Sequence, residues 1–296
     1  MTDQPFLWEP AQYRKFGDFR DRPFFDLTAR IGAVAPARVV DLGCGPGNLT
    51  ATLAQRWPQA SVLGLDSSAA MVAQARALIP AASTGSRSTG AGASAAPTHS
   101  ADDGGTPSAA SPHIAPGLAF VQGDIAAWVP TSDTDVIVSN AALQWIPQHR
   151  ELMAGWLAAM HPGAWLGVQV PGNFGAPSHV LMRELAESPR WRKQLGGVLR
   201  HEDAVAEPAL YQELFLSCGA RVDVWETTYS HLLQGKNPVL EWVRGTALRP
   251  VLGALSLSEA MAFEHEYAAL LAKAYPAGEY GSNFEFRRIF MVGEKQ

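Results

Sequence analysis

The sequence predicts an α/β fold, a mainly parallel sheet with helices on both faces. Three observations predict it. Short apolar runs at residues 38–42, 61–66, 118–122, 135–140 and 165–170 alternate with segments of helical length, the pattern of strand–helix–strand units. The first run leads into Asp41-Leu42-Gly43-Cys44-Gly45-Pro46-Gly47, with glycine at alternate positions. The second run ends in an acid, Asp66. Bare glycines let the backbone turn sharply and admit a ligand where a Cβ would stand. An acid closing the second strand is placed to accept hydrogen bonds from the hydroxyls of a ribose.

The elements follow in order. Residues 1–34 are rich in aromatics (Phe6, Trp8, Tyr13, Phe16, Phe19, Phe24, Phe25) and are read as an N-terminal helical lid, packed on the sheet, closing over a ligand, or both. A core of residues 35–171 carries helices near 49–57 and 69–78, the second capped by Ser67 or Ser68. Residues 81–117 are almost wholly Ala, Ser, Gly, Thr and Pro. Such a segment buries too little apolar area to offset its ordering entropy and is expected to be a flexible insertion. A helix near 150–160 stops at Pro162-Gly163, and one near 209–218 stops at Gly219. Strands are expected at 221–229 and 284–292, so residues 209–229 and 283–296 complete the core. Residues 172–208 and 230–282 are assigned to a helical cap above the strand C-termini, where open α/β sheets bind ligands. Within it Ser256-Leu257-Ser258-Glu259 forms a capping box that opens a helix reaching about Tyr275.

Composition narrows the function. With 296 residues, 47% of them hydrophobic and 17% charged, the chain can bury a full core. A net charge of −5 argues against a general nucleic-acid binder. No apolar stretch is long enough to span a bilayer, and Met1 to Pro10 lacks the basic start and apolar run of a secretory leader. Two cysteines, Cys44 and Cys218, are read as small packing residues in a reducing, cytoplasmic setting.

The glycine loop bears on the ligand. Dinucleotide loops read Gly-x-Gly-x-x-Gly and hold a pyrophosphate, whereas this loop reads Gly-x-Gly-x-Gly with Asp41 just before it. An acid there opposes a diphosphate and suits a cationic amino group, such as that of S-adenosylmethionine. The series Asp41–Gly47, Gly64-Leu65-Asp66-Ser67-Ser68 with Met71, and Gly123-Asp124-Ile125 resembles the class I S-adenosylmethionine-dependent methyltransferases. The resemblance implies a Rossmann-like fold whose last strand is antiparallel. It also implies the cofactor contacts. Asp41 would meet the ammonium, Gly43 and Gly45 would lie beside the methionine part, and Asp66 with Ser67 would lie at the ribose. Asp124 would accept from the adenine amino group with Ile125 beside the ring, and Asn140 would reach the sulfonium end.

Outside the cofactor motifs, Ala141-Ala142-Leu143-Gln144-Trp145-Ile146-Pro147-Gln148-His149, Val170-Pro171-Gly172-Asn173-Phe174, His179-Val180-Leu181-Met182-Arg183-Glu184, Trp225-Glu226-Thr227-Thr228-Tyr229 and Trp242-Val243-Arg244-Gly245-Thr246-Ala247-Leu248-Arg249-Pro250 are similar to the trans-aconitate 2-methyltransferase family. The segment Tyr280–Arg288 matches it less well. The resemblance implies transfer of a methyl group from S-adenosylmethionine to a carboxylate, giving a methyl ester and S-adenosylhomocysteine. A carboxylate is ionised at neutral pH and needs no general base, so positioning carries the reaction and no catalytic acid, base or metal is expected. The partner is a small anionic carboxylate, with no nucleic acid or membrane. Guanidinium forks suit such a substrate. Arg244 and Arg249 are the first choices, with Arg183, Arg287 and Arg288 also available, and Arg288 retained in the site. Gln144 and Trp145 are candidates for the pocket wall, Trp145 equally for the core. His149, His179 and His231 read as plain polar residues. Other readings are a methyltransferase for another or carrier-linked carboxylate, a nicotinamide oxidoreductase, and a non-catalytic cofactor-binding protein.

Overall fold

Residues 17–79, 117–200 and 202–296 are described by the computed structural model. Phe6, Trp8, Tyr13 and Phe16 of the expected lid, and residues 81–116 of the expected insertion, lie outside them. Five runs of aliphatic residues form parallel strands β1 (Arg38–Leu42), β2 (Ser61–Asp66), β3 (Gly117–Gln122), β4 (Val136–Asn140) and β5 (Trp165–Pro171). They read as nearly unbroken apolar runs because both faces of the sheet are covered. The seven strands lie in the order β3-β2-β1-β4-β5-β7-β6, with β7 (Ser282–Lys295) antiparallel to both β5 and β6 (Ala220–Leu233). Strand order reverses between β1 and β4, and the carboxyl ends at such a reversal are where open α/β sheets bind ligands.

One face packs Val40, Ile137, Leu166 and Val168 against Trp156 and Leu157 of α4 (His149–Ala159) and Tyr211 and Phe215 of α7 (Pro208–Ser217). The other packs Val39, Val62, Val136 and Phe290 against Phe24 and Leu27 of α1 (Gly17–Thr28) and Leu53 of α2 (Asn48–Arg56). Thus α1 contributes to the core of the sheet. The remaining helix on the sheet, α3 (Ala69–Ala77), buries Val72 and Ala75 against Phe120.

A separate apolar cluster joins α5 (Pro177–Ala186), α6 (Arg192–Leu195), α8 (Pro238–Arg244), α9 (Arg249–Ala254) and α10 (Leu257–Ala274) through Met182, Leu195, Trp242, Val251 and Phe263. The capping box at Ser256 and Glu259 opens α10 as its sequence predicts. Strands β6 and β7 outrun expectation. Residues 230–233 and Ser282, assigned from sequence to the cap, are paired strand. Burial alternates through them, with Tyr229, His231 and Leu233 inside and Ser230 and Leu232 outside. That is the pattern of a strand covered on one side. Among the described residues, no helix is long and apolar enough to cross a membrane.

Candidate active site

The glycine loop after β1 is shaped by two steric facts. Gly43 has φ 82°, and a Cβ there would stand 2.3 Å from the Cβ of Ala142. Gly45 has φ 54°, and its Cβ would meet nothing within 4 Å, so the loop borders open space that bare backbone can offer a ligand. Asp66 is fixed at that space. One carboxylate oxygen accepts from the Gly45 N–H at 2.9 Å and the other from the Ser68 N–H at 2.9 Å. Each oxygen keeps further acceptor capacity. Ser68, rather than Ser67, caps α3 through its hydroxyl, and Ser67 is exposed.

Asp41 is only 3% exposed, and its carboxylate accepts from the Thr50 hydroxyl at 2.6 Å. Burial pushes its pKa up to about 7, the Thr50 bond opposes the rise, and the charge of Asp66 adds to it. Asp124 is exposed and caps the turn Ile125–Ala127, accepting from the Ala126 N–H at 2.9 Å. Ile125 is buried and faces the loop, 3.5 Å from where a Gly43 Cβ would lie.

Beside the loop, the end of β4 opens into a cavity of about 280 Å³. Ala141 sits there at φ 54°, a left-handed conformation that costs a non-glycine residue free energy and clusters at functional sites. It is pinned by its N–H to the Gln169 carbonyl at 2.9 Å and by the Gln144 side-chain amide, which donates to its carbonyl at 2.7 Å. Asn140, Gln144 and Trp145 line the cavity. Trp145 is 40% exposed, so of its two readings the structure selects the cavity wall over the core.

Three arginines line the same cavity, Arg183, Arg200 and Arg288, and no Asp or Glu among the described residues does so. Arg183 donates to the Phe174 carbonyl at 2.8 Å, and Arg200 to the Gln144 carbonyl. Arg288 is 6% exposed, donates to Gln169 Oε1 at 3.4 Å and stacks on Phe286 at 4.3 Å. Asn140 Oδ1, Gln144 Oε1 and Asn173 Oδ1 are buried without a hydrogen-bond partner among the described residues. Buried polar atoms are normally satisfied, so three such atoms around one cavity mark a place shaped for a polar ligand.

The first-choice arginines are not brought here. Arg244 gives Nε and Nη2 to Glu264 at 2.6 and 3.0 Å and Nη1 to Glu241, and neither it nor Arg249 lines the cavity. Positions two apart on a helix face different ways, and α8 presents Trp242 to the cavity instead. Replacing Arg244 by Ala is expected to lower stability by about 1–2 kcal/mol, since two half-buried carboxylates lose their partner. Its KM for the carboxylate should not move; parallel urea melts and initial rates check both. Arg287 pairs with Glu207 and Glu226 at 2.7 and 2.6 Å, on the opposite side of β7 from Arg288, as strand alternation requires. Arg200 lies outside the segments singled out in the sequence; Asn173, His179 and Trp242 lie within family-similar segments but were given no site role, His179 being read as a plain polar residue.

A methyltransferase-domain family model matches residues 16–205. Trans-aconitate 2-methyltransferase of Streptomyces avermitilis is 46% identical over 291 residues, covering 98% of this chain and 97% of the relative. The enzyme of that name from Rhodococcus jostii is 46% identical over 292 residues, covering 98% and 100%. Among solved structures, the YcgJ protein of Bacillus subtilis shares the fold with a TM-score of 0.53 at 13% identity, covering 93% and 98%. With near-complete coverage at this identity, the chain belongs to the trans-aconitate 2-methyltransferase family.

Proposed function

We propose that this protein is an S-adenosylmethionine-dependent O-methyltransferase that esterifies a carboxylate of trans-aconitate. The observation that carries the reading is a cavity lined, among the described residues, by three arginines and no acid, opening beside the glycine loop. The family relationship supplies the reaction.

The residues fit the cofactor. The open space at Gly45 admits it, Asp66 presents fixed acceptors for ribose hydroxyls, and the unpartnered Asn140 Oδ1 suits its methionine end. Asp41 supplies negative charge for the amino group from its buried position. Asp124 and Ile125 stand for the adenine amino group and ring face, with Ser67 at the rim.

When bound, S-adenosylmethionine would supply a sulfonium-activated methyl group for esterification of an already ionised carboxylate, with no proton to be moved. The chain's task is to hold the acid. Arg183, Arg200 and Arg288 provide guanidinium forks for the carboxylates of a tricarboxylate. Gln144, Trp145 and Trp242 wall the space. Alignment of reacting atoms is worth up to roughly 7–11 kcal/mol in favourable systems, and an already ionised nucleophile needs no base.

The deciding experiment measures methyl transfer from radiolabelled S-adenosylmethionine to trans-aconitate, cis-aconitate, citrate and malonyl-carrier protein in parallel. Selective labelling of trans-aconitate supports the reading, and labelling of another acid keeps the reaction and discards the substrate. Asp66→Ala is expected to weaken S-adenosylhomocysteine binding by about 1–3 kcal/mol, the cost of lost hydrogen bonds at a partly buried site. Unchanged affinity in calorimetry would remove Asp66 from the ribose.

A further inference from the structure

Three cations account for the negative charge of a polycarboxylate, but they are poor partners for the one carboxylate that must react. A bidentate guanidinium occupies lone pairs on both oxygens. Its attraction also fades as the carboxylate becomes a neutral ester, so it favours the ground state over the transition state. A neutral N–H takes one lone pair, leaves the other oxygen open to attack, and still binds the ester carbonyl. The cavity contains such a donor.

His179 lies on the first turns of α5 and lines the cavity. Its Nδ1 is 3.1 Å from the Ser178 hydroxyl and 3.4 Å from the Asn173 side-chain nitrogen. With the Asn173 amide oriented so that its NH₂ faces the ring, Nδ1 is the acceptor of this pair and the proton resides on Nε2. The Phe174 ring meets the imidazole edge-on at 5.5 Å and fixes its plane. Phe174 and Asn173 are in turn held near α5, where Arg183 donates to the Phe174 carbonyl and Asn173 is buried. Nε2 is on the ring edge opposite these contacts, and no hydrogen bond to it from a described residue is found. The ring is neutral at working pH: burial pushes its pKa down to about 4, and Arg183 adds to the effect. The other charged groups that line the cavity are Arg200 and Arg288, both cationic.

We infer that His179, locked as the Nε2–H tautomer by Asn173 and Ser178, donates a neutral hydrogen bond to the carboxylate that becomes the methyl ester. The arginines then hold the carboxylates that remain ionised. This rests on the proposed methylation of a polycarboxylate and assigns the reacting group to the His179 side of the cavity.

The test uses the full-length protein. His179→Phe keeps a ring and removes the donor; it should lower kcat/KM for trans-aconitate about 10- to 100-fold, the usual scale for losing a hydrogen bond to a charged group. S-adenosylhomocysteine affinity should not change. His179→Gln restores a neutral donor and should recover most of the rate. Nitrogen-15 NMR of the wild-type histidines should show one ring protonated at Nε2 alone between pH 6 and 8. That resonance should be absent from His179→Gln and should shift when trans-aconitate is added to the S-adenosylhomocysteine complex. Normal kinetics in His179→Phe, or an Nδ1–H tautomer, would overturn the inference. Should His179→Phe fail to fold, the glutamine variant and the wild-type spectrum decide it: an Nε2 resonance that ignores trans-aconitate counts against it. A wild-type enzyme that labels no acid discards the underlying reaction instead.

Discussion

Replacing Asp41 by Asn is expected to stabilise the cofactor-free protein by on the order of 4 kcal/mol at pH 8 and to do nothing comparable at pH 4. The carboxyl group is enclosed, with the Thr50 hydroxyl as its hydrogen-bond donor, and burial lifts its pKa from 3.8 to about 7. The folded chain therefore holds this proton where the unfolded chain has released it. Stability contributed by the proton is complete below pH 4, drains away as pH rises from about 4 to 7, and is gone above the folded pKa. A shift of about three units at ~1.4 kcal/mol each sets the size of the effect. Asparagine still accepts from Thr50 and carries no charge to desolvate. Urea melts of both proteins at pH 4.5 and 8 read the difference directly, and a gap that ignores pH would refute the burial argument. The same variant should bind S-adenosylhomocysteine about 10- to 100-fold more weakly, because a cationic amino group loses its counter-charge. Greater stability with poorer binding is the trade expected where a site keeps a costly group for function.

Arg288→Met should cut kcat/KM for trans-aconitate about 10²- to 10³-fold while leaving cofactor affinity intact. The guanidinium is among the most buried charges described, lying over Phe286 with Gln169 beside it. Losing one member of a desolvated charge pair typically costs 2–5 kcal/mol. Methionine preserves the apolar stem against Phe286, so a loss of activity reports charge rather than packing. Arg288→Lys should recover only part of the rate, since an ammonium lacks the planar fork. Initial-rate kinetics with calorimetry of cofactor binding separate the two effects, and unchanged kcat and KM would remove Arg288 from the substrate site.

The frame was legible where chemistry is local. Strands β1 to β5, the glycine loop, Asp66 and the capping box at Ser256 each depend on neighbours within a few residues, and each falls where sequence places it. Whether a given arginine meets the substrate depends on helix rotation and on segments far apart in the chain. Arg244 and Trp242 share α8, yet the helix turns the tryptophan to the cavity and the arginine to Glu264. Arg200 follows α6 in a stretch without periodicity, and only folding brings it to the Gln144 carbonyl. The full length of β6 was not legible because Ser230-His231-Leu232-Leu233 does not alternate polar with apolar: the buried position 231 is a histidine and the exposed position 232 a leucine.

The paired run from Ala220–Lys295 to Leu233–Ser282 couples the helical cluster to the sheet. Along β7, Phe284 and Phe286 anchor the helical cluster, while Ile289 and Met291 anchor one face of the sheet and Phe290 and Val292 the other. One uninterrupted strand is thus common property of all three. A change in the helical cluster is therefore transmitted to both faces of the sheet through this one strand, so the cluster and the sheet are constrained to change together.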